Sequence, residues 1–209
     1  MESVGQEEMI GGEPAGADDM RAASPFGASW RKMMMWLFLV SDALTFAAFL
    51  IAYGMLRMTS AAWPDQTAVF DMRLITFMTF VLISSSAVMA MAVGAAREGN
   101  PKTAIKFVGL TVLGGLIFLG SQAYEWAHFI GEGASPWTNP WGPAAFGAGF
   151  FLITGFHGVH VLSGVILLAV TAIRASAGRY TGEGVEVVGL YWHFVDIVWV
   201  FVFAFFYLL

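Results

Sequence analysis

The chain has 209 residues, 58% of them hydrophobic and 12% charged, with a formal net charge of -5; so apolar a composition excludes an ordinary soluble domain and points to a polytopic membrane protein. Its acids crowd the start, where Glu2, Glu7, Glu8, Glu13, Asp18 and Asp19 stand, so the net charge says little about the body and implies no nucleic-acid partner. The absence of cysteine excludes disulfides, thiolate-bound clusters and thiol catalysis.

The first residues are acidic and rich in Gly and Ala up to Pro25, unlike a secretory leader, which opens on a basic segment. Residues 1–28 therefore read as a disordered tail and residues 29–209 as the membrane domain. At 1.5 Å per residue, about 20 apolar residues cross the hydrocarbon core, and five segments qualify: 33–58, 74–96, 107–130, 146–173 and 187–209. Their separators carry breakers: Trp63, Pro64 and Asp65; Gly99, Asn100 and Pro101; the run from Pro136 to Pro143; and Gly178 to Gly184. The expected fold is all-α, a bundle of five transmembrane helices.

Cationic loop residues favour the cytoplasmic side. With the N-terminus inside, the inner segments hold Arg21, Arg31, Lys32, Arg97, Lys102, Lys106, Arg174 and Arg179, and the outer ones only Arg57 and Arg73. The N-terminus is thus expected to be cytoplasmic and the C-terminus outside. The loop with Trp137 and Trp141 lacks Lys and Arg, as suits an outer interface where indoles settle at headgroup depth.

Polar residues inside the apolar runs need a reason, because hydrocarbon offers them no partner. In the first run Ser41, Asp42, Thr45, Phe46, Phe49 and Tyr53 share one stripe. Asp42 lies nine residues past Met33, about 13 Å along the helix, and must be protonated, paired or hydrated. It reads either as a proton-exchanging acid or as a neutral carboxyl bonded to a neighbouring helix. Ser84, Ser85 and Ser86 in the second run read as a close-packing face. Ser121, Gln122, Glu125 and His128 line one side of the third, as a buried network or an interfacial helix end. In the fourth, His157, His160 and Gly164 are neighbours on the helical wheel. Two His three apart can ligate a metal, but with no third ligand they read first as hydrogen-bonding groups, beside Thr154 and Gly158 at close-packing spacing. In the fifth, His193 and Asp196 lie one turn apart, close enough to share a hydrogen bond or relay protons, and Trp192 and Trp199 lie seven apart on an adjoining line.

Two motifs carry a resemblance: GFHGVHVLSG at 155–164 and YWHFVDIVWVFVFAFFYL at 191–208, supported by FLVSDALTF at 38–46, the serines at 84–86 and QAYEW at 122–126. Together they resemble subunit III of the haem–copper terminal oxidases, in its five-helix bacterial form. The resemblance implies an accessory, non-catalytic subunit without cofactors, in the bacterial inner membrane. Haem and copper would sit in partner catalytic subunits, oxidase subunits I and II, with a small subunit IV also a partner. Phospholipid would bind in grooves of the chain. The whole complex would pass electrons from cytochrome c, or alternatively quinol, to oxygen while pumping protons, with this chain supporting proton uptake and protecting the active site during turnover.

Residue by residue, the resemblance places Asp42 where many members carry a carbodiimide-reactive Glu. It makes Glu125, His157, His160, His193 and Asp196 recurrent polar positions that orient helices and lipid. It also implies that two N-terminal helices of the seven-helix forms are missing here, along with the lipid-filled cleft they would enclose. Two other classes compete on the residues alone. A stand-alone cytochrome needs imidazoles on facing helices, whereas His157 and His160 share one helix. A proton-coupled transporter built on Asp42, Glu125 and Asp196 would be expected to show internal repeats, and none is visible.

Overall fold

The computed structural model describes residues 29–208, so the expected tail and Leu209 lie outside the described residues. Five long helices follow one another: α1 (Trp30–Thr59), α2 (Met72–Arg97), α3 (Pro101–Gly131), α4 (Ala144–Ser176) and α5 (Gly182–Val202), with one helical turn, Gln66–Val69, between α1 and α2. Each is long and apolar enough to cross a membrane, and the described residues contain no strand. The helices start two to six residues before the expected apolar runs, and in three of them a polar cap anchors the first turn. Ser29 accepts from the Lys32 amide, Asp71 from those of Arg73 and Leu74, and Asn100 from that of Thr103, with Pro101 at the first helical position.

Three helices end in the same way. Gly99, Gly133 and Gly178 have φ of 72°, 91° and 78°, a left-handed conformation that costs glycine little. The following amide then reaches back to close a Schellman motif: Asn100 N to Ala95 O at 3.0 Å, Ala134 N to Phe129 O at 3.0 Å, and Arg179 N to Arg174 O at 2.9 Å. Carbonyls that would face lipid or headgroups unpaired are thereby satisfied.

Helix α5 is the column of the bundle, packing on α1, α2 and α4, while α3 bridges α2 and α4. Its Trp192 is fully buried and occupies a notch cut by glycines. A Cβ on Gly115 would lie 2.6 Å from Trp192 Cη2, and one on Gly164 would lie 2.9 Å from its Cε3. At the end opposite the N-terminus, Phe70, Phe129, Phe146, Phe150 and Phe206 form one aromatic cluster, with Phe129 stacked on Phe150 at 4.6 Å between centroids. Trp141 packs on Phe129 at 5.0 Å, whereas Trp137 is exposed. The chain then widens into a π-helix, Phe203–Leu208, which hydrophobic periodicity did not anticipate.

The glycine notch gives a direct check. Gly115→Ala should lower the thermal midpoint of the detergent-solubilised protein, by overpacking worth about 1–3 kcal/mol. Gly120→Ala, whose Cβ meets nothing within 4 Å, should leave it unchanged. Equal midpoints for the two variants would show that Trp192 does not depend on the notch.

Candidate functional site

Asp42 and His160 meet between α1 and α4, with His160 Nε2 3.3 Å from Asp42 Oδ2 and both side chains largely buried. His160 Nδ1 lies 2.7 Å from the Phe156 carbonyl oxygen. A carbonyl only accepts, so Nδ1 carries a proton, and in a neutral imidazole Nε2 is then a bare lone pair. A bare lone pair facing a carboxylate would be repulsive. Asp42 Oδ2 has no hydrogen-bond partner in the arrangement seen, and the contact becomes favourable with one proton between the two groups, held either as an Asp42 acid donating to Nε2 or as a His160 imidazolium facing the carboxylate. Either arrangement leaves the pair with zero net charge, the condition that suits an apolar surrounding. Phe156 and Phe46 flank the imidazole at 4.6 and 5.3 Å between centroids. From α5, Tyr191 brings its hydroxyl to Ser163 Oγ at 2.5 Å and to the His160 carbonyl at 3.2 Å. The stripe expected on α1 divides here: Asp42, Phe46 and Tyr53 are buried, while Ser41 and Thr45 are exposed and bond back to their own helix.

The other sequence candidates are dispersed. His157, one turn from His160, is fully buried beside Trp199 and Phe118 at 5.0 and 5.7 Å, with no protein partner for either ring nitrogen. Among the described residues no three His, Cys, Asp or Glu side chains converge as metal ligands would. His193 and Asp196 do not take each other as partners, contrary to what their spacing suggested. His193 Nδ1 turns instead to Ser86 Oγ of α2 at 2.7 Å, because the α2 face offers a hydroxyl across the helix seam, and Asp196 Oδ1 is buried without a hydrogen-bond partner.

On α3 the expected polar side splits. Gln122 and Glu125 are buried. Gln122 Nε2 donates to the Thr154 carbonyl at 2.6 Å and Glu125 Oε2 accepts from the Tyr207 hydroxyl at 3.3 Å, whereas His128 lies at the surface 3.4 Å from Glu132. Thr154 and Gly158 form the close seam with α3. Thr154 Oγ1 accepts from Trp126 Nε1 at 3.1 Å, and a Cβ on Gly158 would lie 2.9 Å from Gln122 Oε1.

Sequence reasoning missed the indole ties of α5. Trp192 Nε1 donates to Ser85 Oγ at 3.1 Å and Trp199 Nε1 to Thr79 Oγ1 at 2.9 Å. The signal was present in part, since a buried indole N–H needs an acceptor and α2 carries hydroxyls at Thr79 and Ser85. Also missed were the ion pairs of Glu186, which binds Lys32 through Oε2 and Arg97 Nε at 2.8 Å through Oε1.

The indole ties predict non-additive losses. Trp199→Phe and Thr79→Val should each destabilise the solubilised protein by about 1 kcal/mol. The double variant should cost less than the sum, because either single change already breaks the bond between the two groups. Strict additivity in thermal unfolding would mean that the two groups do not interact.

A family model described as cytochrome c oxidase subunit III matches residues 26–209. A protein of Nocardia farcinica named probable cytochrome c oxidase subunit 3 is 34% identical over 80% of this chain and 82% of its own length. The cytochrome c oxidase subunit 3 of Bacillus subtilis is 34% identical over 83% of this chain and 84% of its own. The quinol oxidase subunit 3 of Bacillus spizizenii is 32% identical over the same shares, 83% and 84%.

Proposed function

Because the chain belongs to the cytochrome c oxidase subunit III family, we propose that it is the accessory subunit of a proton-pumping cytochrome c oxidase, without cofactors of its own, that supports proton uptake by the catalytic subunit. A single observation carries the proton-handling part: Asp42 Oδ2 and His160 Nε2 lie 3.3 Å apart between α1 and α4, an approach that one shared proton would make favourable. Such a pair can pass its proton from one group to the other without changing net charge, and handing that proton to a neighbouring subunit keeps the pair neutral only when a second proton arrives as the first departs.

In this reading haem and copper belong to oxidase subunits I and II, a small subunit IV completes the assembly, and phospholipid fills the grooves. The N-terminus is cytoplasmic: Arg31, Lys32, Arg97, Lys102, Lys106, Arg174 and Arg179 gather at one end of the bundle, against Arg57 and Arg73 at the other. The membrane is the bacterial inner membrane. Glu125, His157, His193 and Asp196 orient helices rather than react, supported by the partners found for two of them, Ser86 of α2 for His193 and the Tyr207 hydroxyl for Glu125. A second reading, subunit III of a quinol oxidase, is favoured by the relative of that name at 32% identity.

Purification from native membranes in mild detergent tests the assignment. Haem- and copper-containing subunits should accompany the chain, and the haem should remain with them when the chain is stripped away; a chain that purifies alone would refute it. Oxidation of reduced cytochrome c, and not of a quinol, by the purified complex separates the two donor readings. Asp42→Asn should leave assembly intact, because an amide fills the same volume. It should slow proton uptake or shorten the active lifetime during turnover, because an amide neither takes up nor releases the shared proton. Unchanged uptake and inactivation kinetics in that variant would contradict the role given to the pair.

A further inference from the structure

At the end of the bundle opposite the N-terminus, α1 stops at Thr59 and the chain reverses through Trp63, Pro64 and Asp65 into the short helix Gln66–Val69. Arg57 stands one turn beyond Tyr53 on α1 and leans back over it, because helical side chains tilt toward the N-terminus. The reversal returns Trp63 and Gln66 to the same place, so all three face the Tyr53 hydroxyl. Packing holds them there. Tyr53 stacks on Phe206 at 4.4 Å between centroids and meets Trp63 edge-on at 5.4 Å, and Trp63 meets Phe146 at 5.7 Å. Gly149 leaves room for the phenol, since a Cβ there would lie 2.9 Å from Tyr53 Cδ2. Tyr53 and Gln66 are only 3% and 7% exposed, and Arg57 and Trp63 are half-buried.

What these side chains present is nearly all donor. Arg57 Nη1, Trp63 Nε1, Gln66 Nε2 and the Tyr53 hydroxyl are shielded from solvent, and none has a hydrogen-bond partner among the described residues. Guanidinium, indole and amide nitrogens only donate, so the three cannot satisfy one another, and one phenolic oxygen is too few for all of them. Charge is unmatched as well. Among the described residues no ion pair includes Arg57, and Asp65, the nearest acid in sequence, is exposed and accepts from the Thr67 amide and hydroxyl. Turning the Gln66 amide over would add one acceptor oxygen and leave the guanidinium charge unanswered. A shielded donor without an acceptor and a cation without a counter-charge both oppose folding, and here they coincide.

We propose that this cluster is a halide site, taking chloride between Arg57 Nη1, Trp63 Nε1, Gln66 Nε2 and the Tyr53 hydroxyl. A monatomic anion accepts from several directions at once and matches the single guanidinium charge. Water would accept two hydrogen bonds and leave the charge as it was. Sulfate or phosphate carries more charge than one guanidinium answers and sheds its water at greater cost. Bound chloride ties the reversal after α1 back onto α1, and it gives a reason for a cation at the end of the bundle where Lys and Arg are few. The site shares no residue with the Asp42–His160 pair and goes beyond the oxidase reading, so either can fail without the other.

Anomalous scattering from crystals of the native complex that contains this chain, grown with bromide in place of chloride, tests the site. Wild type should show a bromide peak within hydrogen-bond reach of the four donors. Trp63→Phe keeps a ring in the aromatic packing and removes one donor, and should raise the bromide concentration for half occupancy about tenfold, the worth of one hydrogen bond to an ion. Arg57→Gln should lose the peak while the same map shows the turn from Trp63 to Gln66 in place, which separates loss of the ion from loss of the fold. Arg73→Gln removes an exposed cation at the same end and should keep the peak. A wild-type map without bromide at these donors would overturn the proposal, as would a peak of equal height in Arg57→Gln.

Discussion

Hydrocarbon offers no hydrogen-bond partner and little hydrophobic drive for one helix to join another, so the bundle depends on polar side chains reaching across helix seams. Helix α5 does most of this. Trp192 and Trp199 donate to hydroxyls on α2, His193 meets Ser86 on the same helix, and Tyr191 reaches Ser163 on α4. Beyond α5, in the closing π-helix, Tyr207 donates to Glu125 on α3. Glycines make these reaches possible. The Trp192 indole can lie against α3 and α4 only because Gly115 and Gly164 have no Cβ. An aromatic column tied through its polar tips to α2, α3 and α4 fixes the rotation of those helices, and with it the face of α4 that carries His160.

The same economy shows how the imidazoles are used. His160 spends one nitrogen on a carbonyl of its own helix and turns the other to Asp42; His193 gives Nδ1 to Ser86. An intramembrane acid matched to an imidazole whose tautomer is fixed by its own backbone resembles a proton-holding group more than a structural tie. A structural tie would work equally well with an amide or a hydroxyl. His157 is the exception, fully buried with neither nitrogen partnered, and its aromatic neighbours account for its packing and not for its polarity.

Most of the fold was legible in the sequence, because bilayer thickness sets a minimum apolar length and breakers interrupt the runs. All five spans lie where the runs fall, and the glycines at 99, 133 and 178 mark helix ends. Less legible were the ends themselves, which extend into polar turns held by Ser29, Asp71 and Asn100, and the π-helix, which shares its composition with an α-helix. The site was legible by residue type but not by partner. Asp42 and His160 stood out as polar groups out of place, yet nothing in either run says that they face each other, because that depends on how α1 and α4 rotate on α5. Spacing within one helix even misled: His193 and Asp196 are neighbours along α5, but the hydroxyl across the seam is the better partner for the imidazole. Nothing in the sequence pointed to Glu186, whose partners Lys32 and Arg97 come to it from helices far apart in the chain.

Infrared titration of the purified complex, with isotope-labelled histidine and with Asp42→Asn as the reference, tests the account most directly. With one proton shared between Asp42 and His160, the wild-type spectrum should show either a carboxylic-acid stretch or an imidazolium mode that the variant lacks. If both contribute, one should fall as the other rises. An ionised Asp42 carboxylate beside a neutral His160 would contradict the shared proton and, with it, the role in proton uptake.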